Sequence, residues 1–230
     1  MKSGPSFRSL LAEVTGVLEA RGDSTVTRIA CDSRKLRPGD LFVAMRGFEA
    51  DGHDFIEAAI IKGAVAVVYQ DPRHEETVEG IPWARVADSR VAGAELAAAF
   101  FRHPSRQLRL AAVTGTNGKT TTTFMIDRIM RTAGLPSGVI GTLGYGPVDD
   151  LRDAPRTTPD AIELQSQLRR MVDAGISAVA MEVSSHALVL ARTWACAFDV
   201  AVFTNLSQDH LDFHRDLEEY LQAKSLAEPA

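Results

Sequence analysis

An apolar run that leads into a glycine-rich turn lies near the middle of the 230-residue sequence and restricts the folds open to the chain. Residues 108–113 predict a buried strand, residues 114–118 a glycine loop, and a helix is predicted from about Lys119 to Ala133. This order is the setting of a phosphate-binding loop, because loop N–H groups and a helix N-terminus together hold phosphate oxygens. The sequence therefore predicts an α/β domain with a phosphate site.

The candidate phosphate-binding residues follow one another along this turn. Lys119 would reach the β- and γ-phosphates of a nucleotide, and the Thr120 hydroxyl would be a ligand of Mg²⁺. The full set is Gly115, Thr116, Asn117, Gly118, Lys119, Thr120 and Thr121. The common pattern has an earlier glycine where this sequence has Val113, so the match is to a shorter form, GTNGKT. A lysine and a threonine at a helix start have little structural use, so we favour phosphate binding over a plain glycine turn.

The rest of the chain predicts two α/β domains. Short apolar strands alternate with helical patterns on both sides of a polar, proline-bearing stretch at residues 103–107. We place the domains at residues 1–103 and 108–230. In the second domain the repeated order of strand, turn and helix predicts a mostly parallel sheet with helices on both faces.

Composition excludes several classes of protein. The formal net charge is −5, so no basic excess indicates nucleic acid or an anionic membrane as a partner. No apolar run approaches the roughly 18 residues that span a bilayer. The two cysteines are too few for a disulfide framework, and residues 1–11 lack the apolar core of a signal peptide. We expect a cytoplasmic protein.

Polar groups follow two further predicted strands. Glu182, Ser184 and His186 come at the end of the strand predicted at residues 177–183, where a carboxylate beside the phosphate loop would be a natural Mg²⁺ ligand. Ser184 and His186 also suggest a serine hydrolase, but the GxSxG turn of that class is absent. His210 and His214 share a helical spacing, and either a metal site or a solvated pair would account for them.

Two other positions have simple structural explanations when taken alone. Thr158 is well placed as a helix N-cap with Pro159 at the first helical position. Lys224 resembles an ordinary surface lysine.

Several runs together resemble the Mur ligases, and within them the UDP-N-acetylmuramoyl-tripeptide synthetase branch. The resemblance extends in order over essentially the whole chain. It is carried by CDSR (31–34), PGDLFVA (38–44), ADGH (50–53), TGTNGKTTTT (114–123), MEVSSH (181–186) and FTNLSQDHLD (203–212). It implies a uridine-nucleotide-binding N-terminal domain followed by a Rossmann-like ATP-binding domain.

The resemblance also implies a reaction and its participants. ATP phosphorylates the terminal carboxylate of UDP-N-acetylmuramoyl-L-alanyl-D-glutamate, and the amine of meso-diaminopimelate or L-lysine then displaces phosphate to form an amide. The implied catalytic residues are Lys119, Glu182, His210 and Lys224. The implied Mg²⁺ ligands are Thr120, Glu182, His210 and a carbamate on Lys224. The implied substrate-binding residues are Ser33, Phe48, Glu49, Ala50, Thr157, Thr158, Ser184 and Arg192.

This sequence also departs from the family pattern. Arg156 replaces an asparagine, and Leu190 stands where a glutamine is expected. Only six residues follow Lys224, so we expect an incomplete central domain and no C-terminal ligase domain. An inactive fragment that binds only the UDP-muramoyl substrate therefore stays an alternative, and a free-standing phosphatase or ATPase is a weaker one. We expect a monomer that could associate through an unpaired sheet edge.

Overall fold

The computed structural model describes residues 4–47, 50–207 and 216–225. The chain divides into two compact units, Met1–Phe100 and Phe101–Ala230. Within the residues described, no helix is long and apolar enough to cross a membrane.

The first unit is built on a five-stranded sheet with the order β1-β5-β4-β3-β2. Strands β2 to β5 run parallel, and β1 pairs antiparallel with β5 at one edge. The elements in chain order are α1 (Phe7–Leu11), β1 (Val17–Arg21), β2 (Arg28–Ala30), β3 (Asp40–Val43), α2 (Ile56–Ile61), β4 (Ala66–Tyr69), β5 (Trp83–Val86) and α3 (Ser89–Phe100). Strands β3 and β4 are buried throughout, as expected for parallel strands that helices cover.

A buried histidine orders the segment that follows β3. His53 is 1% exposed; its Nδ1 lies 2.6 Å from Asp51 Oδ1, and its Nε2 accepts the N–H of Gln70 at 3.1 Å. Since Nε2 accepts a backbone N–H, Nδ1 is the nitrogen that donates to Asp51. Asp51 also forms an ion pair with Arg46 at 3.3 Å. The ADGH run therefore fixes the position of its loop against β4.

The second unit holds another five-stranded sheet, with the order β10-β6-β9-β7-β8. All neighbouring pairs are parallel except β7 and β8. The elements are β6 (Arg109–Thr114), α4 (Lys119–Thr132), β7 (Ser137–Gly141), β8 (Gly144–Gly146), α5 (Ala161–Asp173), β9 (Ala178–Glu182), α6 (Ser185–Val189), β10 (Val200–Phe203) and α7 (Leu217–Ser225). Strand β6 lies between β10 and β9 and leads into the phosphate loop, so the loop lies at the carboxyl end of an interior strand of the described sheet.

The predicted α/β class with mostly parallel sheets is confirmed, whereas the predicted cap of α5 is wrong. The helix begins at Ala161, and its N-cap is Asp160, whose carboxylate accepts the N–H of Glu163 at 3.0 Å. Thr158 instead donates its hydroxyl to the carbonyl of Glu182 at 2.9 Å. A threonine before a proline can serve either as a helix cap or as a donor to another part of the chain. Here Thr158 bonds to the end of the distant strand β9 and does not cap the helix.

Strand β10 lies at the edge of the described sheet and exposes apolar side chains. Val200 is 52% exposed and Phe203 is 47% exposed. Edge strands of this kind can pair with other chains. Association through this edge stays a prediction.

The two cysteines should differ strongly in reactivity. Cys196 accepts a hydrogen bond from Gln165 Nε2 at 3.5 Å, and burial raises the pKa of its thiol to about 12. Because the thiolate is the reactive form, and because a thiolate of higher pKa offsets part of this difference by its greater nucleophilicity, we expect iodoacetamide at pH 8 to label Cys31 about tenfold or more faster than Cys196. Pulsed labelling followed by peptide mass spectrometry measures both rates. In denaturant the two rates should converge; similar rates in the folded chain would contradict the prediction.

Candidate nucleotide and metal site

The site begins with a carboxylate and a hydroxyl from two adjacent elements. Glu182, the last residue of β9, is 1% exposed, and its Oε2 accepts the Thr120 hydroxyl at 2.9 Å. Its Oε1 accepts the N–H of Thr142 at 2.9 Å. A Cβ on Gly141 would lie 2.2 Å from Glu182 Oε1, so only glycine permits this close approach. The structure thus brings together Thr120 and Glu182, which were both predicted as metal ligands.

The donors at this position fit Mg²⁺. A carboxylate and two hydroxyls, from Thr120 and Thr142, are hard oxygen ligands, and Mg²⁺ commonly takes only one or two protein ligands beside water and phosphate oxygens. In the described part of the chain, no group of three or more His, Cys, Asp or Glu side chains could hold a metal ion. Thr142 was missed from the sequence, and its only signal is its place directly after β7.

The phosphate loop curls around the ammonium group of Lys119. Its Nζ donates to the carbonyls of Gly115 at 2.8 Å and Thr116 at 2.7 Å. Gly118 precedes α4 with a φ of +83°, and a Cβ there would meet no atom of the described residues within 4 Å. The first-turn N–H groups of α4 have no partners within the helix itself and carry a partial positive charge. The loop therefore has the shape and the charge that a polyphosphate requires.

Lys224 on α7 is buried rather than exposed on the surface. It is 2% exposed, its Nζ donates to the carbonyl of Gly115 at 2.9 Å, and that atom lies 4.3 Å from the centre of the Tyr220 ring. The interpretation from composition, an ordinary surface lysine, is wrong. Lys224 thus lies against the phosphate loop and lines the same pocket, and its role in the site stays a prediction.

A pocket of about 560 Å³ joins these groups to a second set of polar residues. Among the described charged side chains that line it, the bases outnumber the acids: Lys119, Arg156, Arg192 and Lys224 face the single carboxylate of Glu182. An excess of positive charge favours a polyanionic ligand. Arg156 is only loosely held, since its guanidinium lies 3.7 Å from Asp160 Oδ2.

The four residues predicted to bind substrate in this unit all line the pocket. Thr157 Oγ1 lies 3.1 Å from Thr142 Oγ1, and Thr158 accepts the N–H of Ser184 at 3.1 Å. Arg192 donates to the carbonyl of Thr158 at 3.1 Å. These residues form one hydrogen-bonded group beside Glu182, and their contacts with substrate stay predictions.

The other predicted residues fall in the first unit or outside the described residues. Ser33 is half-buried, and its carbonyl accepts Lys62 Nζ at 2.8 Å. Ala50 is exposed, and its carbonyl accepts the N–H of Gly47 at 2.9 Å. Phe48, Glu49 and His210 lie outside the described residues, and so does His214.

A strand-end phosphate loop with a buried acidic residue on the neighbouring strand defines a nucleotide-binding domain of the P-loop class. Residues 25–103 match the catalytic domain of the Mur ligase family, and residues 113–226 match the Mur ligase middle domain. The chain belongs to the Mur ligase family.

Curated relatives and solved structures agree with this assignment. The UDP-N-acetylmuramoyl-L-alanyl-D-glutamate–2,6-diaminopimelate ligase of Geobacter sulfurreducens is 48% identical over 217 residues, which are 94% of this chain and 42% of the relative. The ligase of the same name from Geobacillus thermodenitrificans is 47% identical over 221 residues, 96% of this chain and 44% of the relative. The chain thus spans about two fifths of the length of these relatives.

Two solved structures share the fold. The structure of a UDP-N-acetylmuramoyl-L-alanyl-D-glutamate–2,6-diaminopimelate ligase matches with a TM-score of 0.75 and 32% identity, over 88% of this chain and 41% of that one. The MurF ligase of Thermotoga maritima, in complex with ADP, matches with a TM-score of 0.58 and 25% identity, over 86% of this chain and 42% of that one.

Proposed function

We propose that this chain supplies the nucleotide-binding and UDP-substrate-binding parts of an ATP-dependent amide ligase. The ligase joins an amino acid to UDP-N-acetylmuramoyl-L-alanyl-D-glutamate during peptidoglycan synthesis. One observation carries the proposal: Lys119, Thr120 and Glu182 line the same pocket as Thr157, Ser184 and Arg192. A phosphate site and a second polar site in one pocket suit the transfer of a phosphoryl group to a bound carboxylate.

The chemistry runs in two steps. The substrate carboxylate attacks the γ-phosphorus of ATP and releases ADP; the amine then attacks the acyl carbon and releases phosphate. Negative charge on the transferring phosphoryl group is stabilised by the Lys119 ammonium and by the N–H groups at the start of α4. Arg192 and the hydroxyls of Thr157 and Ser184 would hold the muramoyl-peptide portion.

Mg²⁺ would be held by Thr120 and Glu182, with Thr142 close by, and when bound it neutralises phosphate charge and orients the reacting oxygens. His210 and Lys224 are the further ligands that we propose. A carbamate on Lys224 keeps one N–H on Nζ, so the bond to the Gly115 carbonyl can persist after the change. The lysine would then present a carboxylate to the pocket that it already lines.

The proposed amino acid is diaminopimelate rather than lysine. The relatives reported above carry diaminopimelate in their names, and they match over nearly the whole of this chain. Ser33, Phe48, Glu49 and Ala50 are proposed to bind the uridine moiety.

Isothermal titration tests the proposal directly. We expect this chain to bind UDP-N-acetylmuramoyl-L-alanyl-D-glutamate and, separately, ADP with Mg²⁺. Incubation with ATP and diaminopimelate, followed by mass spectrometry of the UDP-linked product, tests amide formation. Binding of the UDP substrate without nucleotide would favour the inactive-fragment alternative, and binding of neither ligand would contradict the proposal.

A further inference from the structure

The phosphate loop is bonded to the segment that follows β10, and this contact involves residues with no role assigned so far. Thr204 donates its hydroxyl to the carbonyl of Asn117 at 2.7 Å and lies 3.2 Å from the carbonyl of Thr114. The amide of Asn205 accepts the N–H of Asn117 and donates to its carbonyl, both at 3.0 Å. The Asn205 side chain thus bonds to both the N–H and the carbonyl of Asn117, as the backbone of a neighbouring strand would. We call Thr204 and Asn205 the loop clamp.

The loop clamp also explains why the first glycine of the loop is needed. Gly115 has a φ of +138°, and a Cβ there would lie 2.0 Å from Thr204 Oγ1 and 3.0 Å from the carbonyl oxygen of Asn205. The space beside Gly115 is therefore taken by the clamp and not by a phosphate. Gly118, by contrast, has space on its Cβ side that the described residues leave open. The two glycines serve different purposes.

The clamp determines which backbone groups can reach a phosphate. The N–H of Thr116 donates to the carbonyl of Asn205 at 2.9 Å, and the N–H of Asn117 donates to its side chain. The carbonyls of Gly115 and Thr116 accept the ammonium of Lys119. These two N–H groups and two carbonyls are thus already bonded within the protein, and the N–H groups at the start of α4 are the donors that we expect to meet a phosphate.

We propose that Thr204 and Asn205 are positioning residues that hold the phosphate loop in its binding conformation before a nucleotide arrives. A loop that is ordered beforehand loses less conformational entropy on binding. Without the clamp, part of the binding free energy would be spent on ordering residues 114–117. This inference deepens the proposed function, since it assumes that the loop binds nucleotide.

The test compares two substitutions at one position. Thr204→Val removes the hydroxyl and keeps the shape, whereas Thr204→Ser keeps the hydroxyl. We expect titration with Mg²⁺ and ADP to give a dissociation constant about tenfold higher for Thr204→Val, and within about threefold of wild type for Thr204→Ser, as expected when one or two hydrogen bonds are lost or kept. Asn205→Ala should weaken binding about as much as Thr204→Val.

A second measurement needs no ligand. Amide hydrogen exchange at Asn117 should quicken about tenfold or more in Asn205→Ala, while the melting temperature stays near that of wild type. Equal ADP affinity in wild type, Thr204→Val and Asn205→Ala would overturn the inference and leave the proposed function standing. If the wild-type chain does not bind ADP, that result contradicts the proposed function. Fast amide exchange at Asn117 in the wild-type chain would separately show that the loop clamp does not form.

Discussion

Glu182→Gln should abolish the effect of Mg²⁺ on nucleotide binding while leaving Mg²⁺-free binding intact. The substitution keeps an acceptor for the N–H of Thr142 but removes the only carboxylate among the described residues that line the pocket. Substitution of a residue that only hydrogen-bonds to a metal ligand typically lowers metal affinity ten- to hundredfold. Loss of a ligand itself should lower the affinity by at least as much. Without Mg²⁺, the variant should bind ADP as well as wild type or better, because a negative charge near the phosphates is gone.

The measurement is a pair of ADP titrations, one with Mg²⁺ and one with a chelator. Glu163→Gln is the matched control, since it makes the same change on an exposed residue of α5 that does not line the pocket. If Glu182→Gln kept the full gain in affinity from Mg²⁺, Glu182 would not be a metal ligand. The melting temperature should not fall, because a neutral amide is cheaper to bury than a carboxylate.

The sequence predicts the centre of the site well because its signals are local. Strand β6, the glycine loop and α4 adjoin one another in the chain, and Glu182 ends an apolar strand that was expected beside the phosphate loop. The strand-end rule for ligands in parallel sheets then brings the two together. For this reason the sequence alone predicts that Thr120 and Glu182 lie close together.

Other features depend on contacts between distant residues, and local patterns do not encode them. Thr158 has the sequence context of a helix cap but bonds to Glu182 and Ser184. In the sequence Lys224 looks like an ordinary surface lysine, and it is the packing of α7 that buries its side chain. Strand β1 has an exposed pattern without alternation, so it gives little hydrophobic signal, and its pairing with β5 joins residues far apart in the chain.

The loop clamp shows the same limit inside the site. Asn205 belongs to the FTNLSQDHLD run, in which the spacing of His210 and His214 suggested a metal site. No role was predicted for Thr204 or Asn205 in that run. The bonds from Thr204 and Asn205 cross about 90 residues to reach the loop. A threonine and an asparagine after a strand otherwise look like ordinary loop residues.

Lys119→Met should raise the dissociation constant for ADP about a hundredfold or more. The ammonium bonds to two loop carbonyls and belongs to the first residue of α4. In the nucleotide complex the ammonium would bond to phosphate oxygens, and hydrogen bonds between charged groups contribute roughly 1.5–3 kcal/mol each, so losing one or two of these contacts accounts for an effect of this size. Methionine keeps most of the length and the apolar stem of the side chain, so the variant separates the effect of the charge on binding from the effect of packing. Titration with ADP over a range of salt concentrations should also show a weaker salt dependence, because one charge that faces the phosphates is gone.

Two further variants make the result specific to Lys119. Arg170→Met removes one positive charge from an exposed position of α5 outside the pocket, so it should leave ADP affinity within about twofold. Lys119→Arg keeps the charge but replaces the compact ammonium by a planar guanidinium. That group cannot donate to two carbonyls and a phosphate from the same position, so we expect this variant to recover little of the affinity for ADP. A Lys119→Met chain that binds ADP as tightly as wild type would show that the helix N-terminus alone holds the phosphates. In that case Lys119 would serve only to shape the loop.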